Sequence, residues 1–125
     1  ENKRSFLSID NFSFIIHELL ENKIPSGVYN VADDEPISTN ELIYIMNEVL
    51  GSKPKIWFIP SEILKITAKL GDLLRLPLNS FKLRKLTENF VVSNTKIKTA
   101  FNIYSLPFSA KEGLLRTFKS FKNTN

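Results

Sequence analysis

The chain has 125 residues, 42% of them hydrophobic, with ten Phe, six Pro and four Gly; that is enough apolar material for one compact core and too regular a composition for disorder. It has no cysteine and a single His, which excludes disulfides, thiolate chemistry and zinc sites built from several imidazoles. The net charge of +4 is uneven: Lys82, Arg84, Lys85, Lys96 and Lys98 face only Glu88 between positions 82 and 98, a pattern that suits an anionic partner or a solvated surface.

Arg4 to Ile9 reads as a short strand running into a helix capped by Asp10. Phe12, Ile15, Ile16, Leu19 and Leu20 then share one helical face, with His17 beside it as a partly buried, hydrogen-bonded side chain. Asn22 to Gly27 ends that helix and leads into Val28–Val31, a second strand. Asp33-Asp34-Glu35 could hold a hard cation or work as acid and base, but between a strand and a helix start it reads as a solvated turn. Ser38 and Glu41 have capping-box spacing; the helix they open turns Leu42, Ile45, Met46, Val49 and Leu50 inward and ends at Gly51 in a left-handed cap.

Lys55 to Ile59 reads as a third strand with Trp57 in the core. Pro60-Ser61-Glu62 opens a helix whose stripe of Ile63, Leu64, Thr67, Leu70, Leu73 and Leu74 ends before Pro77. Lys65, Lys69 and Arg75 frame that stripe, which fits packing on a core or neighbouring domain better than a membrane surface. Leu78 to Thr87 follows as a short helix capped by Asn79 or Ser80, and Phe90–Val92 as a strand. Ser93 or Asn94 starts a turn or two of helix through Ala100. Ser109 and Glu112 make a second capping box, opening a last helix with Leu114, Leu115, Phe118 and Phe121 inward and a frayed tail from Lys122.

Residues 1–125 thus form one α/β domain, helix-rich with a few short strands that cannot make a deep sheet, so the chain is expected to complete a neighbour. No apolar run approaches the ~20 residues of a bilayer span. No secretion signal follows Lys3-Arg4, and the expected compartment is the cytoplasm.

The parts of a nicotinamide enzyme are missing. Glycines 27, 51, 71 and 113 are too dispersed to form a pyrophosphate-binding loop. A Tyr-x-x-x-Lys pair, in which the lysine lowers the phenol pKa, fails at all three tyrosines: Asp33 follows Tyr29 at that spacing, Glu48 follows Tyr44 and Phe108 follows Tyr104. Catalytic residues and a bound cofactor are therefore not expected within these residues. Arg4 stands out instead, because a guanidinium at a strand-to-helix turn can chelate two oxygens of a diphosphate.

Arg-x-Phe-Leu-x-Ile-Asp-Asn at 4–11, Gly-Val-Tyr-Asn-Val-Ala-Asp at 27–33 and Ser-Thr-x-Glu-Leu at 38–42 come in an order that resembles the C-terminal half of the NAD-dependent epimerase/dehydratase family. These are the extended short-chain dehydrogenases, UDP-glucose 4-epimerase among them. The resemblance runs on through Ile59-Pro60, Arg84-Lys85-Leu86-Thr87, Asn94-Thr95-Lys96-Ile97 and Ser109-x-x-Glu112-Gly113-Leu114, across essentially the whole chain. It implies the C-terminal substrate-binding portion of such an enzyme, with the Rossmann half absent. That half would bind NAD(P) and carry the Tyr/Lys couple, while this one closes over a UDP-sugar.

In that resemblance Arg4 is a diphosphate contact, and Arg84 or Lys85 supplies a second. The implied function is the nucleotide-sugar-binding part of an epimerase, inactive without its Rossmann domain. A 4-keto reductase, a dehydratase or a non-catalytic binding module of the same fold are the alternatives. The implied partners are the UDP-sugar and the chain's own Rossmann domain; a homodimer of the full-length protein is compatible, and nucleic acid is not expected. The chain departs from the family at Ser93 for the usual Asp, at Phe101-Asn102 for Leu-Gly, and at Glu88 for the Gly that often follows Lys/Arg-Leu-x, where a carboxylate sits poorly beside phosphate.

Overall fold

The computed structural model describes residues 2–54, 56–57, 59–74 and 79–123, apart from the side chains of Leu86 and Asn123. Among these, two strands and six helices follow in the order β1 (Lys3–Arg4), α1 (Ile9–Glu21), β2 (Ile37–Ser38), α2 (Thr39–Leu50), α3 (Ser61–Leu74), α4 (Ser80–Thr87), α5 (Thr95–Phe101) and α6 (Ala110–Asn123). β1 and β2 pair antiparallel, Lys3 opposite Ser38 and Arg4 opposite Ile37, and Phe90 joins the far side of Arg4 by a parallel bridge. The chain is helix-rich with very little sheet.

The strand expected at 4–9 stops at Arg4 because Ser8, not Asp10, caps α1: its Oγ accepts from the Asn11 amide. Asp10 lies in the first turn, 3.3 Å from Arg116 of α6. Phe6 and Leu7 point to opposite sides of this extended link. Phe6 packs against a core of Ile37, Ile45 and Ala110, whereas Leu7 packs against one of Ile15, Ile97 and Leu106. Where α6 passes α1, a Cβ at position 113 would lie 2.3 Å from the Ser8 Cβ, so only glycine allows the approach.

The acidic run at 33–35 is not a solvated turn. Asp33 is 3% exposed, and its carboxylate accepts from the Ser8 amide at 3.0 Å, the Ser8 hydroxyl at 3.2 Å and Asn11 Nδ2 at 2.7 Å. Asp34 accepts from Lys98 Nζ, Asn94 Nδ2 and the Leu106 amide, and Glu35 from the Ala110 amide at the start of α6. Burial pushes the Asp34 carboxyl up, but the hydrogen bonds from Lys98, Asn94 and Leu106, with the Lys98 charge, outweigh it and hold the group below its ordinary range. Three successive carboxylates thus tie together the starts of α1 and α6, α5 and the loop after it. A buried carboxylate persists only when it is paired and hydrogen-bonded in this way.

The remaining helix ends follow local chemistry. Ser38 and Glu41 form the expected capping box, and Gly51 closes α2 at φ 69°. Ser109 and Glu112 form the second box, Asn79 caps α4, and Asn102 ends α5 at φ 55°, in the role of the usual glycine. Asn94 stands at the N-cap of α5 but makes no side-chain cap bond: its side chain is turned so that Nδ2 donates to the Ala32 carbonyl and to Asp34, and the Ser93 hydroxyl accepts from the Thr95 amide. Lys122, expected in a frayed tail, lies in α6 and donates from Nζ to the Val49 carbonyl in the last turn of α2.

The predicted strands after the first are not formed. Val28–Val31 is irregular: Lys96 Nζ donates to the Val28 carbonyl and lies over the Tyr29 ring, so side chains take the place of a ladder. Phe90–Val92 contributes a single bridge. Of the 55–59 strand, Lys55 and Phe58 lie outside the described residues, and Ile56, Trp57 and Ile59 are exposed and not in a strand.

Helical faces are less buried than periodicity predicts. On α1, Asn11 and Ile15 are buried while Phe12, Ile16, Leu19 and Leu20 are exposed, and His17 is exposed 3.8 Å from Glu18. On α2, Ile45 and Val49 are buried and Met46 and Leu50 exposed; Phe121 of α6 is exposed as well. The largest departure is α3, whose buried residues are the small Ala68 and Gly71. α3 packs on α4. Of the stripe read as inward, Leu64 alone is half-buried; Ile63, Thr67, Leu70, Leu73 and Leu74 are exposed, and α4, only eight residues long, does not cover them. Arg75 and Leu78, which entered those readings, lie outside the described residues.

Candidate functional site

Arg4 reaches the end of α4 because the chain after that helix returns along β1. The Lys3 amide donates to Asn89 Oδ1 at 2.7 Å, the Phe90 amide donates to the Lys3 carbonyl and the Ser5 amide to the Phe90 carbonyl, both at 2.9 Å. This puts the Arg4 guanidinium against the last turn of α4, where Nη2 donates to the Lys85 carbonyl. A cation there satisfies a carbonyl with no helical partner and meets the negative end of the helix dipole. Arg4 is thus a structural cap on α4 as well as a candidate anion contact.

Arg4, Lys85, Glu88, Asn89 and Phe90 line an open cavity of about 420 Å³. Lys85 Nζ sits 4.4 Å from the centre of the Phe81 ring, a cation–π contact that leaves the ammonium at the surface. The bond to Lys85 uses one guanidinium nitrogen of Arg4, and the planar fork keeps further N–H donors for a ligand. Glu88 contributes a carboxylate to the same wall, offset by Arg84, whose Nε lies 3.3 Å from Glu88 Oε1. That pair is largely exposed and of small energetic value.

The three predicted contacts are therefore divided. Arg4 and Lys85 meet in one cavity, whereas Arg84 lines a separate cleft of about 300 Å³ between α3 and α4, with Lys65 and Lys69. Asn89 and Phe90 belong to the Arg4 cavity and were not singled out in the sequence, since nothing local announces a bridge between positions 4 and 90. A larger cavity of about 510 Å³ between the ends of α2 and α6 is lined by Met46, Val49, Leu50, Phe118, Phe121 and Lys122, an apolar surface whose one charged group is bound to Val49.

Among the described residues no group of three His, Asp or Glu is arranged to hold a metal ion, and no helix is long and apolar enough to cross a membrane. Comparison with protein-family models, curated proteins and solved structures finds no match to this chain. The resemblance to the epimerase/dehydratase family rests on the ordered motifs alone.

Proposed function

We propose that the chain is the nucleotide-sugar-binding part of an NAD-dependent nucleotide-sugar epimerase resembling UDP-glucose 4-epimerase, with Arg4 and Lys85 as its contacts to the diphosphate. The observation that supports this most directly is the meeting of Arg4 and Lys85, 81 positions apart, in one open cavity. The ordered motifs lead to Arg4 and to the 84–85 pair without choosing within that pair. A guanidinium fork from β1 and a lysine from the end of α4, meeting at one cavity, suit the oxygens of a diphosphate. Phe90, two-thirds exposed at the edge of the cavity, offers a ring on which a base or sugar can lie. Hydride transfer and the acid/base couple belong, in this reading, to a Rossmann half that binds NAD(P), and the residues here hold the substrate against it.

Titration of the chain with UDP, followed by amide NMR, tests the assignment. Shifts are expected at Lys85, Asn89 and Phe90, with affinity falling about tenfold in Arg4→Ala, the scale of one charge-assisted contact. Arg84→Ala is expected to change it by less than about twofold, as befits an exposed, ion-paired arginine outside the cavity. Unchanged affinity in Arg4→Ala overturns the assigned contact.

A further inference from the structure

The Arg4 cavity spans a joint between two parts of the chain that are held very differently. No residue of α3 or α4 belongs to either hydrophobic cluster of the body. Among the described residues, one hydrogen bond joins these two helices to another element, from Arg4 Nη2 to the Lys85 carbonyl. The chain reaches α3 through residues 52–60, which form no helix or strand where described, and leaves α4 at Glu88, whose backbone is extended at φ −75° and ψ 145°. Immediately beyond, it is fixed again: Asn89, Phe90 and Val92 are held to Lys3 and Ser5 by hydrogen bonds of 2.7 to 3.4 Å. Arg4, Asn89 and Phe90 therefore line the cavity from the fixed side, Lys85 lines it from the hairpin, and Glu88 stands at the joint.

We propose, resting on the reading of this cavity as a diphosphate site, that the α3–α4 hairpin is a flap. It opens about Glu88 while the body stays folded, and a diphosphate held by Arg4 and Lys85 together locks it down. A ligand that touches both walls finds them together only when the hairpin is docked, so binding stabilises the docked state by the factor 1 + [L]/Kd. Arg4 can serve both tasks at once. One guanidinium nitrogen holds the carbonyl at the end of α4, and the rest of the fork keeps N–H donors for phosphate oxygens. In the free chain the Lys85 ammonium lies over Phe81 of its own helix and ties nothing to the body. Through a diphosphate it gains such a tie.

Amide hydrogen exchange of the 125-residue chain, followed by NMR with and without UDP, tests the flap. In the free chain α3 and α4 are expected to exchange faster than α1 and α6, because the hairpin opens alone. UDP at ten times its Kd is expected to slow exchange in α3 and α4 about tenfold, and uridine, which lacks the diphosphate, to leave it unchanged. At the same UDP concentration Arg4→Ala, with its affinity about tenfold weaker, is expected to cut the slowing to about twofold, whereas Arg84→Ala retains it. An Arg4 that only capped α4 would leave the effect of UDP intact.

UDP that shifts the amides of Asn89 and Phe90 yet leaves exchange in α3 and α4 unchanged overturns the flap and leaves the diphosphate site standing. UDP that shifts no amide of the cavity overturns both. Equal exchange in the hairpin and in α1 and α6 of the free chain overturns the flap as well, and so does slowing by uridine as large as that by UDP.

Discussion

The α3–α4 hairpin and the rest of the molecule are built on opposite plans. The body gathers β1, α1, β2, α2, α5 and α6 around the buried Asp33 and its neighbours Asp34 and Glu35, whose carboxylates bind groups 22 to 75 positions away in sequence. The hairpin is joined by neighbours in sequence, with Asp72 accepting from the Ser80 amide eight positions on, at the surface. Buried polar networks specify one arrangement because leaving any member unpaired is costly. Exposed bonds between sequence neighbours order a segment without fixing it strongly to anything else. The Arg4 cavity lies where the two plans join, with one wall from β1 and one from the end of α4.

The sharpest way to break the comparison is to remove the equivalent group from each region. Asp33→Ala strands the Ser8 amide and the Asn11 side-chain amide in a buried site. It is expected to lower stability by about 3 kcal/mol, the scale for losing hydrogen bonds to a buried charge. Asp72→Ala, whose carboxylate is fully exposed, is expected to leave the unfolding midpoint unmoved. Urea denaturation of the two variants decides it, and equal shifts would refute the division.

A smaller effect, with a definite sign, comes from Asp34. Its burial opposes ionisation, yet Lys98, Asn94 and the Leu106 amide keep the folded-state pKa below the unfolded value. The stabilisation is therefore complete above the ordinary carboxylate range and is lost as pH falls through the folded value. Lys98→Met removes the partner 2.6 Å away. The stability gap between parent and variant is expected to be widest near neutral pH and to narrow as pH falls through the folded-state value, where the carboxyl becomes protonated in the folded chain as well as the unfolded one. A gap independent of pH would mean that Lys98 acts through packing alone.

What could be read in the sequence divides along the same line. Most helix starts and stops were legible because capping is local: Ser38 with Glu41, Ser109 with Glu112, Gly51, and Asn102 in place of glycine each announce themselves within a turn, whereas α1 starts at Ser8 and not at Asp10. The acidic run was misread because its partners Ser8, Asn94, Lys98 and Ala110 are distant, and three adjacent acids look the same whether solvated or buried. The strands were over-predicted for a related reason: Val28–Val31 and Phe90–Val92 have the right composition, but a strand needs a partner, which composition does not supply. Of the candidate site, Arg4 and the 84–85 pair were legible by motif. Lys85 separates from Arg84 only when the helix turn places one beside Arg4 and the other beside Lys65 and Lys69.

The smallest expected effects sharpen the comparison by asking how far a local loss spreads. Ser38 and Asn79 do the same job, each accepting from a backbone amide in the first turn of its helix. Ser38 is 2% exposed and belongs to the body, so Ser38→Ala is expected to lower global stability by about 1 kcal/mol, as cap removals commonly do. Asn79 opens α4, which packs chiefly on α3. If the hairpin opens without the body, Asn79→Ala is expected to leave the global transition in place and to speed amide exchange in α3 and α4 alone. Native-state hydrogen exchange separates the cases, since opening confined to the hairpin moves only its own amides. Faster exchange in α1 and α6 of that variant would join the two regions into one cooperative unit. The cap that Arg4 places on the Lys85 carbonyl would then be the connection through which the loss travels.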